Sequence, residues 1–325
     1  MSISAILAFR ETFGTKTPIV QGPMSGTSGP ELVAAVSNAG GLGILPIWGQ
    51  SPEVAKNMIT QTQSLTSARF GVNLRADLKQ LDHIKMAIDM DATIIHLFWG
   101  DPNASAAPIR AAKAIMTATV DDVDAAKAAL DAGASALIAQ GVEAGGHVLS
   151  EIPRDDLLAS VLDIAGDVPV IAAGGITTAG DVARVVVAGA AGALCGTRFV
   201  ATEEANAHEG YKQALINAGA DATVRTKLFD IGWPDAPLRA LRNSTYDMWE
   251  EAGCPKSGKR PGEGDIVLTL PNGQGLPRYH AMAPRRDVSG DIEAAVMYAG
   301  MGVERLKAIG TAASTVRDLA SKLNG

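Results

Sequence analysis

The sequence predicts a (β/α)8 barrel of the TIM type, α/β in class, carrying a smaller and partly helical cap. Three observations lead there. Eight short apolar runs alternate with helical patterns at intervals of roughly 20–30 residues, the size of a βα unit in such a barrel. Glycine turns follow several of those runs, and a proline-rich stretch breaks the alternation only beyond residue 218. Hydrophobic residues make up 47% of the 325 positions and aromatic ones 4%, so Ala, Val, Leu and Ile must pack around the 35 glycines, as close strand–helix layers require. An open doubly wound sheet is the competing fold, but it seldom needs eight such regular units.

The elements follow in order. Residues 18–21 form a first apolar run that ends in Gly22-Pro23-Met24-Ser25-Gly26, and Pro30 opens a helix over 31–39, proline being at home in a first helical turn. A strand over 41–45 and a helix over 52–63 come next, then a strand over 69–74 and a helix over 78–89. The fourth and fifth strands, 93–98 and 114–119, flank a helix near Ile109. Asp121 is expected to cap a helix through Ala132 with Val123, Ala126 and Leu130 on one face. The sixth strand ends in Ala139-Gln140-Gly141-Val142-Glu143-Ala144-Gly145-Gly146-His147. A helix over 153–164, a strand over 168–173, a helix over 178–188 and a strand over 191–196 complete eight units. Residues 219–290, dense in proline, are expected to form a cap with helical parts around 237–253, since long irregular segments in compact proteins are often lids. Apolar spacing from Ile292 to Leu323 predicts two terminal helices. The expected organisation is thus a barrel over 1–218, a cap over 219–290 and terminal helices over 291–325.

Charge and cysteine content narrow the class of partner. A net charge of −7 and a pI near 5.3 speak against nucleic acid or an anionic membrane, both of which need clustered Lys and Arg. A small solute is expected instead. Cys195 and Cys254 are read as reduced. The apolar opening, 3–9, is too short for a membrane span and lacks the preceding basic side chain of a signal peptide, so a cytoplasmic location is expected. The oligomeric state stays open, a homo-oligomer included.

In a barrel every strand-end loop faces one rim. The loops after the seventh and eighth strands, Gly174-Gly175-Ile176 and Gly196-Thr197-Arg198, stand where barrels bind phosphate through backbone N–H groups. The glycines at 141, 145 and 146 let backbone approach a flat ligand, and His147 is the side chain there that exchanges protons near neutral pH. A plain tight turn with a surface histidine is the competing reading. Asn73, at the third strand, offers an amide to a ring edge, and Gln21 and Met24 are expected in the same space. His96, ending the fourth strand, is the second histidine expected at the rim; His83, His208 and His280 are read as surface residues. No metal is expected, because a glycine loop does not hold Glu143 and His147 on one helix face and no third ligand stands at a suitable spacing. Gly41-Leu42-Gly43 lacks the third glycine of a dinucleotide fingerprint.

Taken in order, several motifs resemble those of nitronate monooxygenases, formerly 2-nitropropane dioxygenases. They are Gln21-Gly22-Pro23-Met24, Ala35 to Gly43, Phe70-Gly71-Val72-Asn73-Leu74, Gly141 to His147, Ala172 to Ile176 and Gly196-Thr197-Arg198-Phe199, with Arg239 to Asn243 and Tyr298 to Gly302 further on. The resemblance implies a TIM barrel with non-covalent FMN under a small cap. It implies that Gly22, Pro23, Met24, Asn73, Gln140, Gly145, Gly146, Gly174, Gly175, Gly196 and Thr197 hold the flavin. It also implies that His147 faces the substrate, either taking the α-proton of a nitroalkane or positioning a preformed nitronate that O2 helps convert to a carbonyl compound and nitrite. Two positions depart from the pattern. His96 stands where a Ser-Phe-like segment is expected and is a substrate-pocket candidate with a share in acid/base work. Thr119 stands where some relatives carry lysine. A barrel mouth nearly free of aromatic residues would favour a small apolar substrate.

Rival readings remain. The Gly-Gly-His motif is also similar to that of flavin-dependent enoyl-thioester reductases and NADH:quinone reductases. A non-redox phosphate-binding lyase or isomerase would use a strand-end Lys or Cys, and Cys195 has no evident base beside it. A non-enzymatic flavin-binding or assembly protein is the remaining class.

Overall fold

A computed structural model describes residues 3–78 and 80–323; the outermost residues of the expected spans, 1–2 and 324–325, lie outside the described residues. Helix α1 (Ile3–Phe13) leads into β1 (Ile19–Gln21), α2 (Pro30–Asn38), β2 (Leu42–Pro46), α3 (Pro52–Leu65) and β3 (Gly71–Arg75). There follow α4 (Leu81–Asp89), β4 (Ile94–Phe98), α5 (Asn103–Ala111), β5 (Ile115–Val120), α6 (Val123–Asp131) and β6 (Ala136–Gln140). A two-residue strand, β7 (Gly146–His147), precedes α7 (Arg154–Ala165), β8 (Val170–Ala173), α8 (Ala179–Val187) and β9 (Gly192–Cys195). The strands β1-β2-β3-β4-β5-β6-β8-β9 pair in parallel and β9 returns to β1, closing the barrel. The predicted (β/α)8 fold is what the chain forms.

Close layers explain the glycines within strands. A Cβ at Gly43 would lie 2.4 Å from the Val33 carbonyl oxygen, so β2 can pack on α2 only without a side chain there. The barrel interior holds Val20, Leu42, Ile44, Ile94, Ile138 and Ile171, and its lower end is plugged by Phe9 and Phe13 of α1, whose rings sit 4.7 Å apart. Residues 3–9, weighed from the sequence as a membrane span or a signal peptide, instead belong to this helix. Among the described residues, no helix is long and apolar enough to cross a membrane. The cap of α6 is Asp122, not Asp121: its carboxylate accepts from Ala125 N at 2.7 Å.

After α9 (Thr197–Val200) and α10 (Glu209–Asn217) the regular alternation stops. Strands β10 (Thr223–Thr226) and β11 (Leu238–Leu241) join β7 in one antiparallel sheet. After α11 (Ser244–Glu251), strands β12 (Ile266–Thr269), β13 (Gly275–Pro277) and β14 (Ser289–Gly290) form a second sheet. The first of the two expected terminal helices does not form. Residues 291–310 are irregular, with turns and a short 3-10 helix at Val303–Arg305, and with Leu241 N donating to Met297 O at 2.8 Å and Ala299 N to Arg239 O at 3.4 Å; their apolar spacing reflects burial of Val296, Met297 and Ala299 rather than a helical face. The second, α12 (Ala312–Ala320), packs on α2 and α8. Cys195 is buried and Cys254 exposed, and both are free thiols.

Because α1 fills the bottom of the barrel, Phe9→Ala is expected to lower the unfolding free energy by about 3–5 kcal/mol, as for other large-to-small changes in a packed core. Urea unfolding followed by circular dichroism measures it.

Candidate active site

At the C-terminal rim lies a cavity of about 400 Å³. Its wall brings together Gly22, Pro23, Met24, Asn73, His96, Gln140, Gly145, Gly146, His147, Gly174, Gly175, Gly196 and Thr197, all site residues expected from the sequence. Thr119 lines it as well. Gln21 does not; it is fully buried, donating through Nε2 to Ser28 Oγ and the Gly22 carbonyl and accepting from Ile44 N, so it fixes the loop after β1 from beneath. Two of the three histidines read as surface residues have local roles, His83 bonding the Gln50 carbonyl and His208 capping α10. His280 lines the cavity, a correction.

The glycines make a cradle whose far side is fully occupied. A Cβ at Gly145 would stand 2.4 Å from Gly300 N. Gly174 and Gly175 take φ of 118° and 61°, which favours glycine, and a Cβ on either would meet the Gly141–Glu143 loop at 3.2 Å. Gly146, at φ 83°, has open space where its Cβ would be. Charged side chains lock these turns from behind. Arg154 Nη1 donates to Gly174 O at 2.9 Å, Arg305 Nη2 to Gly175 O at 2.7 Å and Arg239 Nη2 to Val142 O at 3.0 Å.

His96 is buried among satisfied partners. Asn73 Nδ2 donates to its Nδ1 at 2.9 Å and also faces the Leu74 and His96 carbonyls, which marks it as the donor. The proton of the neutral ring then sits on Nε2, which donates to Thr119 Oγ1 at 2.9 Å. Burial lowers the His96 pKa to about 3. With both nitrogens engaged, the ring braces β3, β4 and β5 together and has no free lone pair for the acid/base share expected of it. The same contacts occupy the Asn73 amide nitrogen that was expected to reach a ligand.

His147 is held differently. Strand β7 pairs with β11 in the register Leu238↔His147 and Arg239↔Gly146, so β11 fixes its backbone. Its ring stacks on Trp233 at 3.9 Å, with Trp99 and Tyr298 at 5.9 and 5.5 Å. Nε2 is buried and has no hydrogen-bond partner among the described residues. Burial first, and then the charge of Arg75, lower its pKa to about 3, so the imidazole is neutral at pH 7.

The mouth is far from free of aromatic residues. Trp233 meets Trp48, Trp99 and Phe98 edge-on at 5.2, 5.0 and 6.4 Å, and the Arg75 guanidinium lies 3.6 Å from its ring centroid. Low aromatic content over the whole chain concealed their concentration here. Trp99 takes φ 62°, an uncommon conformation for a bulky residue that recurs at functional sites. Asp77 supports it, donating N–H to Trp99 O at 3.1 Å while its carboxylate binds Arg75 at 2.6 and 3.0 Å. The sequence did carry a signal for Arg75: it lies two residues beyond Asn73, hence on the same face of β3.

A family model for nitronate monooxygenase matches residues 8–102 and 80–322. The chain belongs to the nitronate monooxygenase family. It is an oxidoreductase, and members of this family are flavin enzymes. A nitronate monooxygenase of Pseudomonas aeruginosa is 30% identical over 366 aligned positions, covering 98% of this chain and 99% of its own. The solved structure of a nitroalkane oxidase from Streptomyces ansochromogenes is 30% identical with a TM-score of 0.75, covering 97% of each chain. A Rhodococcus jostii protein named (3aS,4S,5R,7aS)-5-hydroxy-7a-methyl-1-oxo-octahydro-1H-indene-4-carboxyl-CoA dehydrogenase is 34% identical over 247 residues, 76% of this chain and 68% of its own.

The two neutral imidazoles link folding to pH in this member of the family. Each has an ordinary pKa of 6.5 that burial lowers to about 3 in the fold. Between those values the unfolded chain binds a proton that the native ring refuses. Their contribution to stability is therefore complete above pH 6.5 and declines as pH falls toward 3. Replacing His96 by Gln is expected to flatten the loss of unfolding free energy over this range by up to about 1.4 kcal/mol per pH unit, measured by urea titrations across the range.

Proposed function

We propose that the protein binds FMN in the rim cavity and oxidises alkyl nitronates with O2 to a carbonyl compound and nitrite. The observation that carries this reading is the His147 ring beside the glycine cradle: neutral, fixed by β11, and with a buried Nε2 left for a ligand to satisfy. A buried polar atom without a partner is costly, and a group bound in the cavity would complete it.

The residues fit FMN. Gly174, Gly175, Gly196 and Thr197 would hold the phosphate through backbone N–H groups, and Gly22 to Met24, Asn73, Gln140, Gly145 and Gly146 would border the ring system. Bound there, FMN supplies the electron-acceptor chemistry. The protein's part is to orient the substrate, keep water away and offer hydrogen bonds. A ring whose conjugate acid has a pKa of about 3 is a weak base, since a useful general base has its pKa near the working pH. This favours an already ionised nitronate, held by His147 Nε2 with Arg75 nearby, over removal of the α-proton from a neutral nitroalkane. Neutral nitroalkanes would then be poor substrates.

A second reading, oxidoreduction of a CoA thioester or of another acceptor with NADH, is favoured by the similarity to the Rhodococcus jostii dehydrogenase. Anaerobic mixing separates the two: ethyl nitronate is expected to bleach the flavin rapidly and NADH not to. Rapid bleaching by NADH alone sinks the proposal. His147→Asn is expected to retain flavin while kcat/KM for ethyl nitronate drops at least tenfold, about 1.4 kcal/mol of transition-state stabilisation.

A further inference from the structure

Trp233 lies between two flat groups. His147 covers it at 3.9 Å between centroids and 24° between planes, and the Arg75 guanidinium carbon stands 3.6 Å from the same centroid. At those distances the two occupy opposite faces, since one face has room for one such group. Both outer layers are fixed. Pairing with β11 holds His147, and the two-point contact with Asp77 holds Arg75.

The middle layer also meets Trp48, Trp99 and Phe98 edge-on and is 7% exposed, but its backbone is held by less. Asp230 is tied to Arg260 at 2.7 Å, and Ile231 exchanges backbone bonds with Tyr279 and Ala281 at 3.2 and 2.9 Å. That anchoring ends just before Gly232, whose φ of 95° turns the chain into Trp233, with Pro234 next. Within the turn, Trp233 N donates to Asp230 O at 3.2 Å. Gly232 and Trp233 both line the cavity, and the unpartnered His147 Nε2 belongs to the ring stacked on the indole.

We infer that the gap between His147 and Arg75 is the substrate slot, that it takes a flat, delocalised group, and that Trp233 fills it until such a group displaces the indole. The inference rests on the reading of His147 as the residue that faces substrate. A slot bounded by an imidazole and a guanidinium at stacking distance admits only a planar occupant. Guanidinium favours a π face or a planar anion, and a nitronate conjugated to an aryl ring is both. Exchanging one π face for another preserves the contact with Arg75, whereas a short alkyl chain forfeits it. The class selected is therefore aryl-conjugated nitronates ahead of small alkyl ones.

Benzoate, flat and anionic but unreactive, is the probe, and calorimetry on the purified holoprotein is the readout. Trp233→Ala is expected to bind benzoate at least tenfold more tightly than the wild type, and Trp233→Phe at least threefold. The gain should vanish when Arg75→Met is added. Benzoate bound no more tightly by either variant makes Trp233 a fixed wall and overturns the inference, as does a gain that survives loss of the guanidinium. Trp233→Phe decides the matter alone if the alanine variant does not fold. In turnover, Trp233→Ala should raise kcat/KM for the nitronate of phenylnitromethane at least tenfold relative to that for ethyl nitronate; a fall in that ratio also overturns it. A wild type that oxidises no nitronate sinks the proposed reaction, and the benzoate result still decides the slot.

Discussion

The pairing of two residues, Gly146 and His147, with Arg239 and Leu238 of β11 is the contact on which the site depends. A barrel alone would leave the glycine-rich chain after β6 as a free loop, able to sample many backbone states. The antiparallel pairing converts its end into a strand. Arg239 strengthens the link, since its guanidinium binds the Val142 carbonyl and its own carbonyl accepts from Ala299 N. That last bond draws the 298–302 segment against Gly145, where no side chain fits. Each hydrogen bond adds only about 0.5–1.5 kcal/mol to stability; together they place one imidazole.

The two rim histidines share a direction of pKa shift and differ in everything else. His96 has both nitrogens satisfied, by Asn73 and Thr119, so its neutrality is structural. His147 is neutral for want of water and because Arg75 stands near, yet its Nε2 is unsatisfied. Arg75 is itself held by Asp77, which moderates its charge without removing it. Binding an anion beside His147 would offset the Arg75 charge, the lesser of the two causes of its low pKa. The site is thus better matched to a substrate that arrives ionised than to one it must ionise.

Much of the barrel was legible because its signal is local. Apolar runs such as 93–98 end in a rim residue and are followed by helical spacing, and the glycine pairs at 145–146 and 174–175 mark close backbone approach wherever they lie. The N-terminal helix was not legible, since a short apolar helix gains its meaning from the barrel end it plugs, and only Phe9 and Phe13 betray that function. Residues 291–310 misled for the opposite reason: a helix-like spacing of apolar residues is also what a segment of turns buried at irregular points produces. The aromatic box escaped notice because Trp48, Trp99 and Trp233 are far apart in sequence and meet only when the ends of β2 and β4 and the β10–β11 connection converge. The cradle could be read from motifs, but the slot above it could not, because it is made by tertiary contact.

That difference separates what the barrel strands contribute from what β10, β11 and their connection contribute. The cradle consists of backbone at strand ends, fixed by register, and backbone does not discriminate among substrates. Relatives named for nitronate oxidation and for a carboxyl-CoA dehydrogenase match this chain at similar identity. Selectivity must then come from side chains that reach over the cradle. Here those are His147, whose strand β11 completes, and Trp233, which the connection between β10 and β11 brings into contact with Arg75 of β3. The Arg75–Trp233 contact is thus the point at which β3 and that connection jointly determine what can lie beside His147.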